Sequence, residues 1–307
     1  MVTSEQNLAI VRTELDTVFF QEYDFQNATP SQISAQSGMV FKPMSITNKA
    51  HIEEIFKGSE LYKITGETEV VGSTNPEVAN KLTTYVKDFT QSIELSKNFY
   101  DDNMHGVWSR EVSDMGIKAR ITQDDNAMEV FRGAFDTTLN ADGSAWMSSH
   151  TLIGGATQSN LLTGALTTTT LNEGIVSLAE QKDQAGVIMG CQPSMLIVPP
   201  ALFKHAIEIT DSALIADSAE NNINVYRSAY GISVYTSPYL GAAAGGSDTA
   251  WFLLARNHAV TRIIRQGIET SLRDWIFSDN RTYFYQANYR ETVYVPDYVG
   301  AAGATGL

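Results

Sequence analysis

The chain has 307 residues, 43% of them apolar and only 18% charged, with 21 Lys and Arg against 35 Asp and Glu for a formal charge of −14. That length allows one large core or two lobes, and that charge argues against free nucleic-acid binding, which needs clustered basic residues to displace counterions. A single cysteine, Cys191, excludes an internal disulfide framework and fits a reducing compartment, and neither a signal peptide nor a run of ~18 apolar residues that would span a membrane is found.

Residues 1–37 are mixed and polar and read as an arm. Leu8, Val11, Leu15 and Val18 predict a helix from about Ser4 to Phe20, whose aromatic tail, Phe19, Phe20 and Tyr23, needs a partner surface. Residues 38–71 change texture to extended segments. Residues 40–46 are strand-like, but Pro43 cannot donate to a ladder and implies an edge strand. Residues 61–65 and 67–71 are its expected partners, after a turn near Gly58. An exposed hairpin of this kind is a pairing hazard in a monomer, so a neighbouring molecule is expected to cover it.

Residues 81–95 predict one longer strand, with Tyr85, Phe89, Ile93 and Leu95 sharing a parity. Residues 107–135 predict a helix of ~40 Å at the usual rise. Its stripe is Trp108, Val112, Met115 and Ala119, resumed by Ala127, Val130, Phe131 and Ala134. Gly116 and the polar residues 122–126 are expected to kink or interrupt it. A turn at 140–143 and a Gly/Ser/Thr-rich loop at 154–170 follow.

Residues 163–210 carry the clearest local signals. Thr170 is the expected helix cap with Glu173 reaching back, Leu171, Ile175, Leu178 and Ala179 form the apolar face, and Gly186 is a plausible stop. Met195-Leu-Ile-Val198 reads as a buried strand, closed by Pro199-Pro200, which opens the next helix with Leu202, Ala206 and Ile209 on one side. Residues 223–226, 232–235 and 251–254 read as strands. Residues 241–247, GAAAGGS, read as a flexible connection. In the last quarter, 282–295 predicts a strand with Tyr283, Tyr285, Ala287, Tyr289, Val293 and Val295 facing one way. Residues 300–306 read as an unstructured tail.

The search for chemistry returns no catalytic, cofactor-binding or metal-ligating residue. His51, His105, His150, His205 and His258 are scattered and form no His-Glu-x-x-His helix. Asp101-Asp102 and Asp124-Asp125 are adjacent, so their side chains point apart and solvated caps explain them better than a metal site. Hydrolase elbows and phosphate-binding glycine loops are absent from the sequence. Cys191 carries no mark of a reactive nucleophile. Arg256, Arg262, Arg265, Arg273, Arg281 and Arg290 read as an interface or solvated face.

Five motifs follow one another along the chain: Trp146-Met-Ser-Ser-His150, Leu162-Thr-Gly-Ala-Leu166, Met195-Leu-Ile-Val-Pro-Pro200, Ser237-Pro-Tyr-Leu240 and Trp251-Phe-Leu-Leu254. In this order, and with the elements above, they resemble a tailed-phage major capsid protein with the Hong Kong 97 fold, with the closest likeness to Mu-type major head subunits. The resemblance spans roughly 38–298. It implies an α+β subunit with an N-terminal arm (1–37), an extended loop hairpin lying on a neighbour (38–71) and a peripheral domain with a long spine helix (72–165). A mainly axial domain (166–256) and peripheral return strands with a C-terminal tail (257–307) complete it. It further implies a non-enzymatic protein of the virion, made and assembled in the host cytoplasm. Its copies would form hexamers and pentamers of an icosahedral shell around double-stranded DNA, without sequence-specific DNA contacts. Portal, scaffolding or decoration proteins are the implied partners, and no membrane is. Ser148 and Ser149 stand where the family commonly has acidic residues, and no Lys–Asn cross-linking pair can be matched. No coiled-coil scaffold precedes residue 38, which points to a separate scaffolding protein or none. The alternatives are an encapsulin-like compartment shell, a soluble hydrolase with an unmarked carboxylate pair, and a carbohydrate-binding or tail protein.

Overall fold

A computed structural model of the chain describes residues 4–24, 31–59, 61–62, 77–98, 105–137, 140–212, 224–274 and 281–307. Its organising element is helix α2 (His105–Arg132), 28 residues long and unbroken. The N-terminal half buries Trp108, Val112 and Met115, and the C-terminal half buries Ala127, Met128, Val130 and Phe131. These two halves belong to different cores, so α2 ties together two sheets.

Gly116 does not interrupt α2. It lets α1 (Ser4–Asp24) approach, because a Cβ there would lie 2.5 Å from the Phe19 carbonyl oxygen. Leu15, Phe19 and Tyr23 of α1 are buried, with Val11 and Phe20 packed beside them, so the aromatic tail finds its surface on α2 and the sheet of this same chain. The packed face steps by four residues, 11–15–19–23, and leaves Val18 half-buried, unlike the 8–11–15–18 face expected. The polar residues 122–126 do not interrupt α2 either, since Gln123 accepts from the Tyr23 hydroxyl at 2.7 Å and Asp124 accepts from the Ala35 amide at 2.6 Å.

The first sheet runs in the order β1-β11-β12-β4, with β1 (Lys42–Ser45), β4 (Lys87–Ser96), β11 (Thr261–Arg273) and β12 (Thr282–Tyr294). Among the described residues, strand β1 is an edge strand whose partner is β11, in parallel. Of that expected pairing, residues 63–71 lie outside the described residues. The predicted strand 81–95 is two strands. Val86 separates β3 (Val78–Tyr85) from β4, and β3 pairs instead with β2 (Ala50–Phe56). On β12, Tyr283, Tyr285, Ala287 and Tyr289 face α1 and α2 as their parity predicts.

The second sheet runs β7-β13-β10-β8-β9, with β7 (Leu161–Leu162), β8 (Pro193–Val198), β9 (Ser233–Thr236), β10 (Trp251–Ala255) and β13 (Ala301–Ala304). It is buried on both faces. Met195, Ile197, Phe252 and Leu254 face the C-terminal half of α2, while Leu196, Val198, Trp251 and Leu253 face α3 (Thr168–Glu180) and α4 (Pro200–Thr210). The expected C-terminal tail is therefore wrong: its residues 301–304 form an inner strand. The reason is complementarity of size. Trp251, Phe252, Leu253 and Leu254 oppose Ala304, Gly303, Ala302 and Ala301, and a Cβ on Gly303 would come within 3.0 Å of Met147 and Phe252.

Local corrections are small. Helix α3 is capped by Thr167, whose hydroxyl accepts from the Thr170 amide at 3.1 Å while the Thr170 hydroxyl accepts from the Thr167 amide at 2.9 Å. The capping box is thus one turn earlier than expected, and Gly174, not Ala179, joins the buried face. Gly186 turns the chain after the helix has already ended. The loop at 154–170 includes β6 (Thr157–Ser159), paired with β5 (Ser149–Thr151). Tyr226–Tyr230 is a π turn and not the end of a strand, and Ile223 lies outside the described residues. Residues 241–247 form short 3-10 turns, tied by Asp248 accepting from the Ala242 amide at 2.9 Å.

Candidate assembly surface

Hairpin β2–β3 has two unlike faces. On one, His51, Glu53 and Leu82 turn toward the first sheet. The Tyr294 hydroxyl donates to Glu53 at 3.2 Å, His51 packs edge-on to the Tyr294 ring at 5.6 Å, and Leu82 packs beside Ile263. Burial, and then the Glu53 charge, push the Tyr294 phenol far above its usual range. On the other face, Ile52, Phe56, Val78 and Tyr85 stand between 46 and 65% exposed around a Glu54–Lys81 ion pair of 3.2 Å. The register places Ile52, Glu54, Lys81 and Tyr85 on one side, since Ile52 opposes Thr83, Glu54 opposes Lys81 and Ala50 opposes Tyr85, while Phe56 pairs with Val78 across a bulge. Two strands alone are marginal in water, and an apolar face of this kind marks an interaction surface.

Behind the hairpin, buried charges fix the frame. Arg262 donates through Nε to Glu291 at 3.0 Å and through a terminal nitrogen to the same oxygen, and it also reaches the Ala35 carbonyl at 3.1 Å. Arg120 lies 3.6 Å from Asp124 and donates to the Ser34 hydroxyl at 2.8 Å. Burial raises the pKa of both Glu291 and Asp124, with the facing arginines pulling the other way. Four charges thus pin residues 34–35 to α2 and the first sheet. Of the expected arginine face, Arg262 is internal and Arg290 pairs with Asp88 at 3.0 Å. Arg256, Arg273 and Arg281 are exposed.

The four histidines with described side chains all make contacts within the fold. His150 is fully buried, stacks on Tyr298 at 4.1 Å, and places Nδ1 2.7 Å from Asp142. Burial would raise the Asp142 pKa, but bonds from His150, the Ser144 hydroxyl and the Ser144 amide outweigh it and hold the carboxyl at about 2. Ser144 also lies 3.2 Å from Nδ1, yet this is no hydrolytic triad. Both oxygens compete for one ring nitrogen, and Nε2 faces the Trp146 carbonyl and Asn160 inside the protein. His258 is buried as well, donating to the Met39 carbonyl at 3.0 Å. His51 and His205 make surface contacts with Glu53 and the Leu166 carbonyl. The His105 side chain and Asp101-Asp102 lie outside the described residues.

Cys191 is buried and accepts from Asn257 at 3.2 Å. Among the described residues no three His, Cys, Asp or Glu converge as metal ligands, and no helix is long and apolar enough to cross a membrane. Sequence reasoning missed β2 and Glu291. The periodic Ile52 and Phe56 were the available signal for the first, and no local pattern marks a lone glutamate as buried.

A family model described as phage capsid protein matches residues 79–303. No curated protein matches the chain by sequence. In three dimensions the chain is similar to the mature capsid of bacteriophage PhiM1, with a TM-score of 0.59, 12% identity and coverage of 92% of this chain and 90% of that one. It is similar to the capsid of cyanophage P-SCSP1u, with a TM-score of 0.56, 15% identity and coverage of 92% and 90%. It is also similar to the virus-like particle from Pyrococcus furiosus, with a TM-score of 0.53, 7% identity and coverage of 95% and 98%.

Proposed function

The chain belongs to the phage capsid protein family, as a major capsid protein with the Hong Kong 97 fold, and from that premise we propose that its copies close as hexamers and pentamers into an icosahedral shell around double-stranded DNA. The observation that carries this reading is the β2–β3 hairpin. It spends one face on its own subunit and leaves Ile52, Phe56, Val78 and Tyr85 for another. In this reading the hairpin is the extended loop, with boundaries moved from 38–71 to about 50–85. Helix α2 is the spine of the peripheral domain, and the second sheet with α3 and α4 forms the axial domain.

The acidic chain lines rather than grips its contents, because DNA confined by a closed wall needs no clustered cations. Its motif order supports a likeness to Mu-type head subunits. Portal, scaffolding or decoration proteins would meet the shell from outside the chain's own contacts, after assembly in the host cytoplasm. The role is structural, and in the Ser144–His150–Asp142 grouping the imidazole is fully buried with both oxygens on one ring nitrogen.

Electron microscopy of the purified protein, alone or with a scaffolding protein, should show closed shells. Nuclease-resistant double-stranded DNA in particles from infected cells separates the phage reading from an encapsulin-like compartment. A chain that stays monomeric under all conditions and loses a hydrolytic activity when one carboxylate is changed would overturn the proposal.

A further inference from the structure

Two unlike flanks lie at opposite ends of the second sheet. Helix α3 packs over β13 and β10, and α4 packs over β8 and β9 on the same face. Outside α3 runs a groove of about 680 Å³, walled by α3, the β5–β6 hairpin and residues 181–188. Val176 and Ile188 line it, both well exposed. Outside α4, the exposed Ile207 sits beside the π turn, whose Val225 and Tyr230 are also exposed. This second flank is a ridge, with Arg227 bridging to Asp211 at 3.4 Å and Lys204 to Glu208 at 3.6 Å.

We propose that the α4 ridge of one copy seats in the α3 groove of the next, joining subunits head to tail around a capsomer. This rests on the capsid reading and names the surfaces that would carry it. Charge selects this pairing. The groove wall carries Glu173 and Glu180, which form no ion pair among the described residues, and only Lys182 offsets them. A groove meeting its own copy would therefore set carboxylates against carboxylates. The ridge has no such excess of carboxylates: Lys204, whose side chain is 89% exposed, and Arg227 balance Glu208 and Asp211, and these weak surface pairs can re-partner with the groove's glutamates. Two different patches joined head to tail generate rings, whereas a self-complementary patch gives dimers.

The test uses full-length protein with Cys191→Ser as background. Adding Ile188→Cys and Val225→Cys together should give, under mild oxidation, a disulfide ladder rising to pentamers and hexamers on a non-reducing gel. Each added cysteine alone should give at least tenfold less cross-linking. A dimer from Ile188→Cys alone, or shells that form without any ladder, would overturn the pairing while leaving the capsid reading intact. Independently, Val176→Asp with Ile188→Asp should cut assembled particles at least tenfold with unchanged melting, and wild-type yields would overturn it. Glu173→Lys with Glu180→Lys should impair assembly, and Lys204→Glu with Arg227→Glu added to it should restore at least part. Failure of the unmodified protein to form any particle would instead count against the capsid reading.

Discussion

The second sheet, half of whose strand pairs are parallel, and the antiparallel β2–β3 hairpin solve opposite problems. The sheet brings its own cover on both faces. The aromatic ring of Phe131 packs against Trp146 and Phe252 on one side, and α3 and α4 close the other. The hairpin brings cover for one face only. Where cover is internal, stability belongs to the subunit; where it is missing, stability belongs to a contact between subunits. Substitutions in the two regions should therefore separate folding from assembly.

The largest effect is expected at the centre of the sheet. Deleting residues 301–307 removes β13 and strips one side of Trp251, Phe252, Leu253 and Leu254. Truncating a single buried aromatic costs about 3–5 kcal/mol, and losing an inner strand exceeds the whole stability of an ordinary domain, roughly 5–15 kcal/mol. The truncated chain should show no cooperative melting transition and should be insoluble. A cooperative transition near that of the full chain would show that the sheet does not depend on its own last strand.

Next comes the charge lock behind the hairpin. Arg262→Met leaves Glu291 buried without its partner and should cost about 3–5 kcal/mol in urea unfolding. The pair Arg262→Met with Glu291→Leu should recover most of that loss, because two apolar groups need no desolvation. No recovery would mean that the lock is worth more than the cost of burying it.

A smaller, pH-dependent effect belongs to His258. Burial, opposed by the bond to the Met39 carbonyl and aided by the Lys42 charge, lowers its pKa from 6.5 to about 4. The folded state thus binds this proton less readily than the unfolded chain. The contribution is full above pH 6.5, falls as pH drops toward 4 and amounts to about 3 kcal/mol at most. Asp124, Glu291 and Asp297 have raised values and oppose this trend at its acid end, where each binds a proton more readily folded than unfolded. His258→Gln should flatten the stability profile between pH 6.5 and 4, as followed by denaturant titration. An unchanged slope would remove His258 as its source.

How much of this was legible depended on whether a residue announces its surroundings. Strands β8, β10 and β12 and helix α2 were readable because large apolar residues recur at one period along each. Strand β13 was not, because Ala-Ala-Gly-Ala has no side chain that speaks for burial; it is small to fit Trp251 and Phe252, which lie about 50 residues earlier. Strand β2 was hidden by Glu53 and Glu54, whose partners Tyr294 and Lys81 are distant in the chain. A hairpin with an uncovered face was expected within 38–71, and among the described residues such a face is found where 50–56 pairs with 78–85.

The smallest effect on the subunit should come from the hairpin's outer face, and it is the sharpest test of the comparison. Ile52, Phe56 and Val78 already face water in the isolated chain, so Ile52→Ser with Phe56→Ser removes little buried area and should change unfolding free energy by about 1 kcal/mol or less. In a shell the same two side chains would be covered in every copy, so the loss repeats at each contact. Sedimentation should then show folded, melting-competent subunits that fail to form particles. Tyr294→Phe supplies the control from the inner face: it removes only the bond to Glu53 and should cost roughly 0.5–1.5 kcal/mol of subunit stability. If the outer-face pair lowers melting as much as a core truncation while particles still form, the hairpin is covered from within. The division between a self-covered sheet and a neighbour-covered hairpin would then fail.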